Sequence, residues 1–343
     1  MRLVMPDQES FDSQYYPSFS PDGRLLAFEV FKGSGEGYEL DSEVSLLEGE
    51  SGDVRPLATF RSSLFVNPRV IWSPKSDSAL IVRVAEDRGE IDRVDIESGE
   101  TETLVEGEPV ASVAWAPDGS RIAYGTFDGG SIWLMDADGG NRREAVRDAG
   151  GPVWAPDSRR LAFFRPADLT EEDDASIWLV DANGSSEKQL VKGVQQHVLR
   201  SAIWSPQGDR LIFLRKARKP VPPHTESDFY VLELDGGRET LRARAAIPLA
   251  WSPDGKRILF ARQLTVGPDT AIGIYVGSAE GTDERLVAVT DEEDVNIGSY
   301  PVWQPAGAKL VPATGAMAPR KEFDFCIRRL DGLRQRLSKR SSR

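Results

Sequence analysis

Ser112-Val113-Ala114-Trp115-Ala116-Pro117-Asp118-Gly119-Ser120-Arg121-Ile122-Ala123-Tyr124 reads as a short strand, a tight turn and a second strand. Proline presets the backbone angle of the turn, and Asp-Gly tolerates the dihedrals that close it. Gly129-Gly130 then ends a short loop, after which Ser131-Ile132-Trp133-Leu134-Met135 predicts a third strand, rich in strand-forming residues. Asp136-Ala137-Asp138-Gly139-Gly140 turns the chain again into a polar fourth strand, Arg142 to Val146. The product is a four-stranded antiparallel unit that cannot bury both of its faces alone.

The central turn recurs. Its copies are Phe19-Ser20-Pro21-Asp22-Gly23, Trp72-Ser73-Pro74, Trp115-Ala116-Pro117, Trp154-Ala155-Pro156-Asp157, Trp204-Ser205-Pro206-Gln207-Gly208, Trp251-Ser252-Pro253-Asp254-Gly255 and Trp303-Gln304-Pro305. Successive prolines are 53, 43, 39, 50, 47 and 52 residues apart, the spacing of four-stranded propeller blades. The third-strand grammar repeats as well, for example Ser176-Ile177-Trp178-Leu179-Val180 before Asp181-Ala182-Asn183-Gly184. The last copy decides the count. Lys309 to Pro319 holds two prolines and makes a poor central strand, but Phe323-Asp324-Phe325-Cys326-Ile327 alternates and Asp331-Gly332 supplies a hairpin. The expectation is a single all-β domain over 1–343, a seven-bladed β-propeller. Its repeats begin near 15, 68, 111, 150, 200, 247 and 299, and a short basic tail occupies 338–343; six blades is the alternative.

From the Trp-Ser-Pro-Asp-Gly block through Ile-Trp-Leu-Met-Asp-Ala-Asp-Gly-Gly, the repeat resembles that of TolB-like propellers, a branch related to WD-type repeats. The resemblance runs from about Tyr15 to Ser338 and covers the propeller part of that architecture. It implies a fold that hosts adaptors, sugar-acting lyases and regulatory halves of peptidases. TolB proteins act in the cell envelope through protein contacts, and carry an export signal and an amino-terminal α/β domain, neither of which is seen in this sequence.

Net charge is −13, yet residues 320–343 carry +6, leaving −19 on the rest. An acidic body disfavours nucleic acid as a partner. No stretch approaches the roughly 20 apolar residues of a membrane helix, so no membrane insertion is expected. The start, MRLVMPDQES, has no apolar run of signal-peptide length. Cytoplasmic residence is the expectation, and periplasmic or extracellular residence if the chain is a processed form. Cys326, the single cysteine, permits neither an internal disulfide nor a cysteine metal cluster.

In such a propeller the turns within Trp-Ser-Pro-Asp-Gly lie on one face. The connections from second to third strand, and from fourth strand to the next blade, lie on the other. Those connections read as long and irregular: Phe31 to Ser42, Ala58 to Asn67, Arg165 to Ala175, Leu214 to Ser227 and Ala288 to Ser299. Binding is expected there. Three positions before each marker stand Tyr16, Arg69, Ser112, Gly151, Ser201, Pro248 and Tyr300, expected at the channel mouth. Tyr16, Arg69 and Tyr300 offer stacking and hydrogen bonding, and Arg200 a second positive group. A competing reading packs both tyrosines between blades. Glu171-Glu172-Asp173-Asp174 faces Arg215, Lys216, Arg218 and Lys219 on the next blade, either pairing across the gap or forming a polarised rim that steers a charged peptide or glycan.

Catalytic signals are thin. No Gly-x-Ser-x-Gly elbow is present, and His197 and His224 are the only histidines, too few for a histidine-bound metal of the lyase kind. The Asp-rich turns lack the 12-position ligand spacing of a calcium loop, and Gly33-Ser34-Gly35-Glu36-Gly37 precedes no helix that could cradle phosphate. The reading is a non-enzymatic scaffold with no cofactor, no metal and no catalytic residue. Its expected partner is a protein or peptide, with a glycan as a further candidate. The binding residues are Tyr16, Arg69, Arg200, Tyr300, Arg215 and Arg218. The alternative is a carbohydrate-active enzyme of the oligosaccharide lyase kind working at the channel mouth.

Overall fold

The computed structural model describes residues 14–32, 39–49, 51–63, 70–85, 88–126, 130–166, 175–194, 202–221, 225–266, 269–281 and 283–291. Alternating apolar and polar residues, punctuated by turn signals, give 24 strands and six antiparallel sheets among them. Blade 1 holds β1 (Gln14–Phe19), β2 (Leu25–Lys32), β3 (Glu39–Glu48) and β4 (Val54–Ser63). Blade 2 holds β5 (Val70–Trp72), β6 (Ser78–Ala85), β7 (Arg88–Asp95) and β8 (Thr101–Glu108). Blade 3, read most clearly from the sequence, holds β9 (Val110–Trp115), β10 (Arg121–Thr126), β11 (Ile132–Asp136) and β12 (Arg143–Val146). Blade 4 follows with β13 (Gly150–Trp154), β14 (Arg160–Pro166), β15 (Ala175–Asp181) and β16 (Lys188–Val194). Blade 5 has β17 (Ala202–Trp204), β18 (Arg210–Val221), β19 (Thr225–Glu233) and β20 (Glu239–Ala243). Blade 6 has β21 (Ala246–Trp251), β22 (Arg257–Val266), β23 (Asp269–Ser278) and β24 (Glu284–Asp291).

Every sheet keeps its strands in sequence order, the meander of a β-propeller blade. First strands of successive blades touch one another, β9 with β5 and β13, and β17 with β13 and β21, so they form the inner edge. Period-two alternation assigns each blade face to one neighbour. Ile122 and Tyr124 of β10 pack back on blade 2, whereas Ala123 packs forward on blade 4. Leu211 and Phe213 of β18 pack back on blade 4 and Ile212 packs forward on blade 6. The core is therefore a series of apolar layers between sheets.

Six blades stand among the described residues, the alternative count and not the seven expected. The segments that carried the seventh repeat, Trp303-Gln304-Pro305 and 323–337, lie outside them. The supposedly irregular connections also need correction, because several continue as strand. β18 and β19 pair from Arg210↔Glu233 to Lys216↔Ser227 and, after a shift in register, again at Val221↔Thr225, so both strands extend into the expected loop at 214–227. β4 runs to Ser63, and β2 and β3 pair out to Lys32↔Asp41. Main-chain ladders form without regard to side-chain polarity, so a charged run such as Arg215-Lys216-Ala217-Arg218-Lys219 hides a strand from pattern reading.

Candidate functional site

The two faces of the propeller are chemically different. On the turn face, position four after each marker has positive φ: Gly23 at 72°, Ser76 at 62°, Gly119 at 74°, Ser158 at 57°, Gly208 at 71° and Gly255 at 68°. Where serine replaces glycine its hydroxyl is used, since Ser76 Oγ accepts the Asp22 N–H at 3.1 Å and Ser158 Oγ accepts the Asp118 N–H at 2.9 Å. The serine after the marker donates to a turn carboxylate in four blades: Ser20 to Asp22 and Ser252 to Asp254 at 2.6 Å, Ser73 to Asp77 and Ser205 to Asp209 at 2.7 Å. In blades 2 and 5 the aspartate has moved two positions on, because Lys75 and Gln207 occupy its usual place. The Ser73, Ser205 and Ser252 hydroxyls hold Asp77, Asp209 and Asp254 below the ordinary carboxylate range. These carboxylates are occupied within their own turns.

Between blades, the marker indoles act as donors. Trp72 Nε1 reaches the Ser18 carbonyl at 3.2 Å, Trp154 that of Ala114 at 3.1 Å, Trp204 that of Val153 at 3.2 Å and Trp251 that of Ile203 at 3.1 Å. Each acceptor lies one residue before the preceding blade's marker. Arginines reinforce the seams: Arg121, Arg160 and Arg210 sit over the Trp154, Trp204 and Trp251 rings at 5.1, 5.9 and 4.8 Å.

Arg215, expected to bind a partner, is engaged inside the molecule. Its guanidinium lies 5.0 Å from the Phe213 ring and 5.1 Å from that of Tyr230, and pairs with Glu239. It also donates to the carbonyls of Lys192 and Gly193 at 3.1 and 3.3 Å, on the outer strand of blade 4. Arg165 repeats this one blade earlier, over Phe163 and Trp178, paired with Glu187 and bonded to the Arg147 and Asp148 carbonyls. Arg262 does so over Phe260 and Tyr275 with Glu284. The signal was present in the sequence: Phe163-Phe164-Arg165, Phe213-Leu214-Arg215 and Phe260-Ala261-Arg262 share one register.

At the opposite end of the inner strands the pairing breaks. In β1 the register shifts between Tyr15 and Ser18, across Tyr16; in β13 it shifts between Gly150 and Val153, across Gly151. β21 shifts between Pro248 and Ala250, and β9 shifts opposite Gly125 and Thr126, beside Ser112. In β1 and β13 the break spans Tyr16 and Gly151, whereas in β9 and β21 the skipped residues are Ala111 and Leu249, and Ser112 and Pro248 keep Gly125 and Phe260 as partners. Bulges of this kind turn a strand end and re-aim its side chains. A Cβ on Gly125 would come 2.8 Å from Ser112 Oγ and 3.4 Å from the Gly151 nitrogen, so blades 3 and 4 close tightly there. The Ser112 Oγ is buried without a hydrogen-bond partner.

Arg69, Arg200, Ser201 and Tyr300 lie outside the described residues, as do 171–174 and both His197 and His224. Tyr16 and Arg218 are described through their strands, β1 and β18, alone. Among the described residues no group of three or more His, Cys, Asp or Glu side chains is placed to hold a metal. No helix among them is long and apolar enough to cross a membrane.

A cleft of about 510 Å³ sits elsewhere, between the outer strand of blade 1 and blade 2, lined by Leu57, Thr59, Phe60, Arg83 and Asp92 among others. Asp92 accepts from Arg83 Nε at 2.6 Å and from Thr103 Oγ1 at 2.8 Å, and Arg83 also meets Glu90. Burial works to lower the Arg83 pKa, but Asp92 and Glu90 outweigh it and raise the value. The cleft is lined by no inner strand and does not reach the mouth positions.

No family model matches the chain, and no curated protein does. Solved structures match its shape. TolB from Acinetobacter baumannii aligns with a TM-score of 0.52 at 14% identity over 81% of this chain, which spans 63% of that protein. An oligogalacturonate lyase from Vibrio parahaemolyticus aligns with a TM-score of 0.57 at 13% identity, covering 90% of this chain and 87% of that one. The β-propeller domain of the trilobed protease from Pyrococcus furiosus gives 0.55 at 14% identity, covering 81% and 84%. Identities this low speak for the fold alone, and that fold is a β-propeller.

Proposed function

We propose that the chain is a non-enzymatic scaffold that captures a protein or peptide segment at the channel mouth and across the face opposite the Ser-Pro-Asp-Gly turns. The observation that supports this reading is the break in inner-strand register across Tyr16 and Gly151, and immediately beside Ser112 and Pro248, because bulges of this kind re-aim the side chains around them. The turn face is chemically spent by contrast, its carboxylates bonded to the hydroxyls and N–H groups beside them. Aromatic and arginine anchors dominate the energetics of such surfaces. Tyr16, Arg69, Arg200 and Tyr300 are the proposed anchors, with Arg218 on the long hairpin of blade 5. Arg215 belongs to the same edge, although its guanidinium is already held by Glu239 and two carbonyls.

The test is a comparative capture from the native cell extract with mass spectrometry. The baits are the unmodified chain, a mouth variant (Tyr16→Ala, Arg69→Ala, Tyr300→Ala) and a turn-face variant (Arg159→Ser, Lys256→Ser). Proteins retained by the unmodified chain and the turn-face variant, but depleted about tenfold or more by the mouth variant, support the reading. Equal retention by all three, with unchanged melting, overturns it.

A further inference from the structure

The seam between blades 1 and 2 departs from the pattern that fills the later ones. Nine positions after the marker, each second strand pairs with a third-strand residue, and in blades 3 to 6 both partners are aromatic. The pairs are Tyr124↔Trp133, Phe163↔Trp178, Phe213↔Tyr230 and Phe260↔Tyr275. A guanidinium lies over both rings each time, from Arg142, Arg165, Arg215 and Arg262 in turn. Blade 1 keeps one ring, Phe28 opposite Ser45. In blade 2 the two positions hold Ile81 and Asp92, paired in the same register but with no ring at either. Arg83 stands where blades 4, 5 and 6 carry Arg165, Arg215 and Arg262.

The 510 Å³ cleft is lined by these three residues, Ile81, Arg83 and Asp92, and it lies where the other seams are filled by stacked side chains. Its far wall comes from the outer strand of blade 1, with Leu57, Thr59 and Phe60. Without a ring to cover, Arg83 turns to carboxylates of its own blade, Asp92 at 2.6 Å and Glu90 at 2.5 Å. Two carboxylates on one guanidinium leave a negative charge in excess, whereas Arg165, Arg215 and Arg262 each pair with one glutamate. The Asp92 side chain is 6% exposed. Each of its oxygens accepts one bond, from Arg83 and from Thr103, which leaves lone pairs for a further donor.

We infer that this cleft is a binding site for a small planar aromatic cation, of the amidine or aminopyridine class. The ligand ring takes the place of the ring pair that blade 2 lacks, against Leu57, Phe60 and Ile81. Its N–H groups donate to Asp92, and its charge completes the balance between Arg83 and the two carboxylates. The cleft volume falls in the usual range for small-molecule sites, about 300–1,000 Å³. The site is independent of the channel mouth, which the cleft does not reach.

The test titrates benzamidine into the 15N-labelled full chain, with benzoate as an anion of the same shape. Saturable shifts of amide signals in β4, β6 and β7 are expected with benzamidine and not with benzoate. No saturable shift in those strands up to about 10 mM benzamidine overturns the inference, as does equal binding of benzoate. Asp92→Asn keeps the shape and removes the charge, and should weaken benzamidine about tenfold. The pair Ile81→Phe and Asp92→Tyr rebuilds the ring stack of blade 5 and should abolish binding. Unchanged affinity in either variant overturns the inference. Should a variant fail to give a folded spectrum, the contrast between benzamidine and benzoate on the unmodified chain decides alone.

Discussion

Trp154 donates its indole N–H to the carbonyl of Ala114 at 3.1 Å, so a residue ending the inner strand of blade 4 is hydrogen-bonded to the residue just before the marker of blade 3. The ring itself is 5% exposed and packs with Ala116, Ala123 and Phe163. In blades 2, 4, 5 and 6 the residue that defines the repeat in sequence is thus hydrogen-bonded to the unit before it.

Replacing Trp154 by alanine is expected to cost about 3–5 kcal/mol, the range for emptying a large aromatic site in a core. Trp154→Phe keeps most of the apolar contact but orphans the Ala114 carbonyl, a loss of about 1–3 kcal/mol. Trp115 is the control, because its Nε1 is buried with no partner, so Trp115→Phe should cost less than Trp154→Phe. Urea unfolding of the three variants checks the order, and equal losses for both phenylalanine variants would show that the bond contributes nothing.

Ser158 separates backbone strain from hydrogen bonding. Its φ of 57° is strained for a residue with a Cβ, while its hydroxyl accepts the Asp118 N–H from the preceding blade. Ser158→Gly relieves the first and loses the second, so stability should move by less than about 1 kcal/mol. Ser158→Ala keeps the strain and loses the acceptor, and is expected to be the less stable by about 1 kcal/mol in denaturant melts.

Much of this was legible in the sequence, because the signals are local. The Trp-Pro-Asp-Gly turns depend on backbone angles of single residues, and blade 3 falls where its sequence places it. The arginine stacks were not read, although Phe163-Phe164-Arg165 and Phe213-Leu214-Arg215 share a register, because a guanidinium two residues beyond an aromatic looks like an ordinary solvated charge until the third-strand ring is brought beside it. The long hairpin of blade 5 was missed for a related reason: its charged residues alternate with nothing apolar, and only the partner strand reveals the ladder. Counting back from the markers leads to inner-strand positions at or beside breaks in pairing, but the bulges themselves depend on cross-strand register and leave no local trace.

Tyr124 offers a spectroscopic check on the seam between blades 2 and 3. Its hydroxyl donates to Glu108 at 2.9 Å and accepts from Arg142 Nε at 2.6 Å, and burial pushes the phenol far above its ordinary value. The difference in phenolate absorbance between the unmodified protein and Tyr124→Phe should be nil through the usual tyrosine range near ~10. A group with a raised folded pKa contributes stability that is complete below its unfolded value and is lost as pH rises past it. Ionisation of Tyr124 in the folded protein within that range would contradict the described contacts.

Acid should loosen the turn face. Ser73, Ser205 and Ser252 hold Asp77, Asp209 and Asp254 below the unfolded carboxylate value, so their contribution is complete above about 4 and is lost as pH falls from there through the depressed folded values. The urea midpoint is expected to drop across that window. Combining Ser73→Ala, Ser205→Ala and Ser252→Ala should flatten the drop, and an unchanged pH profile in that variant would remove these pairs from the account.

The join between blades is tested most directly by the indole N–H signals of the 15N-labelled protein, assigned by single Trp→Phe substitutions. Trp72, Trp154, Trp204 and Trp251 are predicted to exchange with solvent slowly and to show the small temperature coefficients of bonded donors, with Trp115 set apart by its missing acceptor. Rapid exchange or free-donor coefficients at those four indoles would contradict the claim that blades 2, 4, 5 and 6 are each tied to the preceding blade through the marker tryptophan.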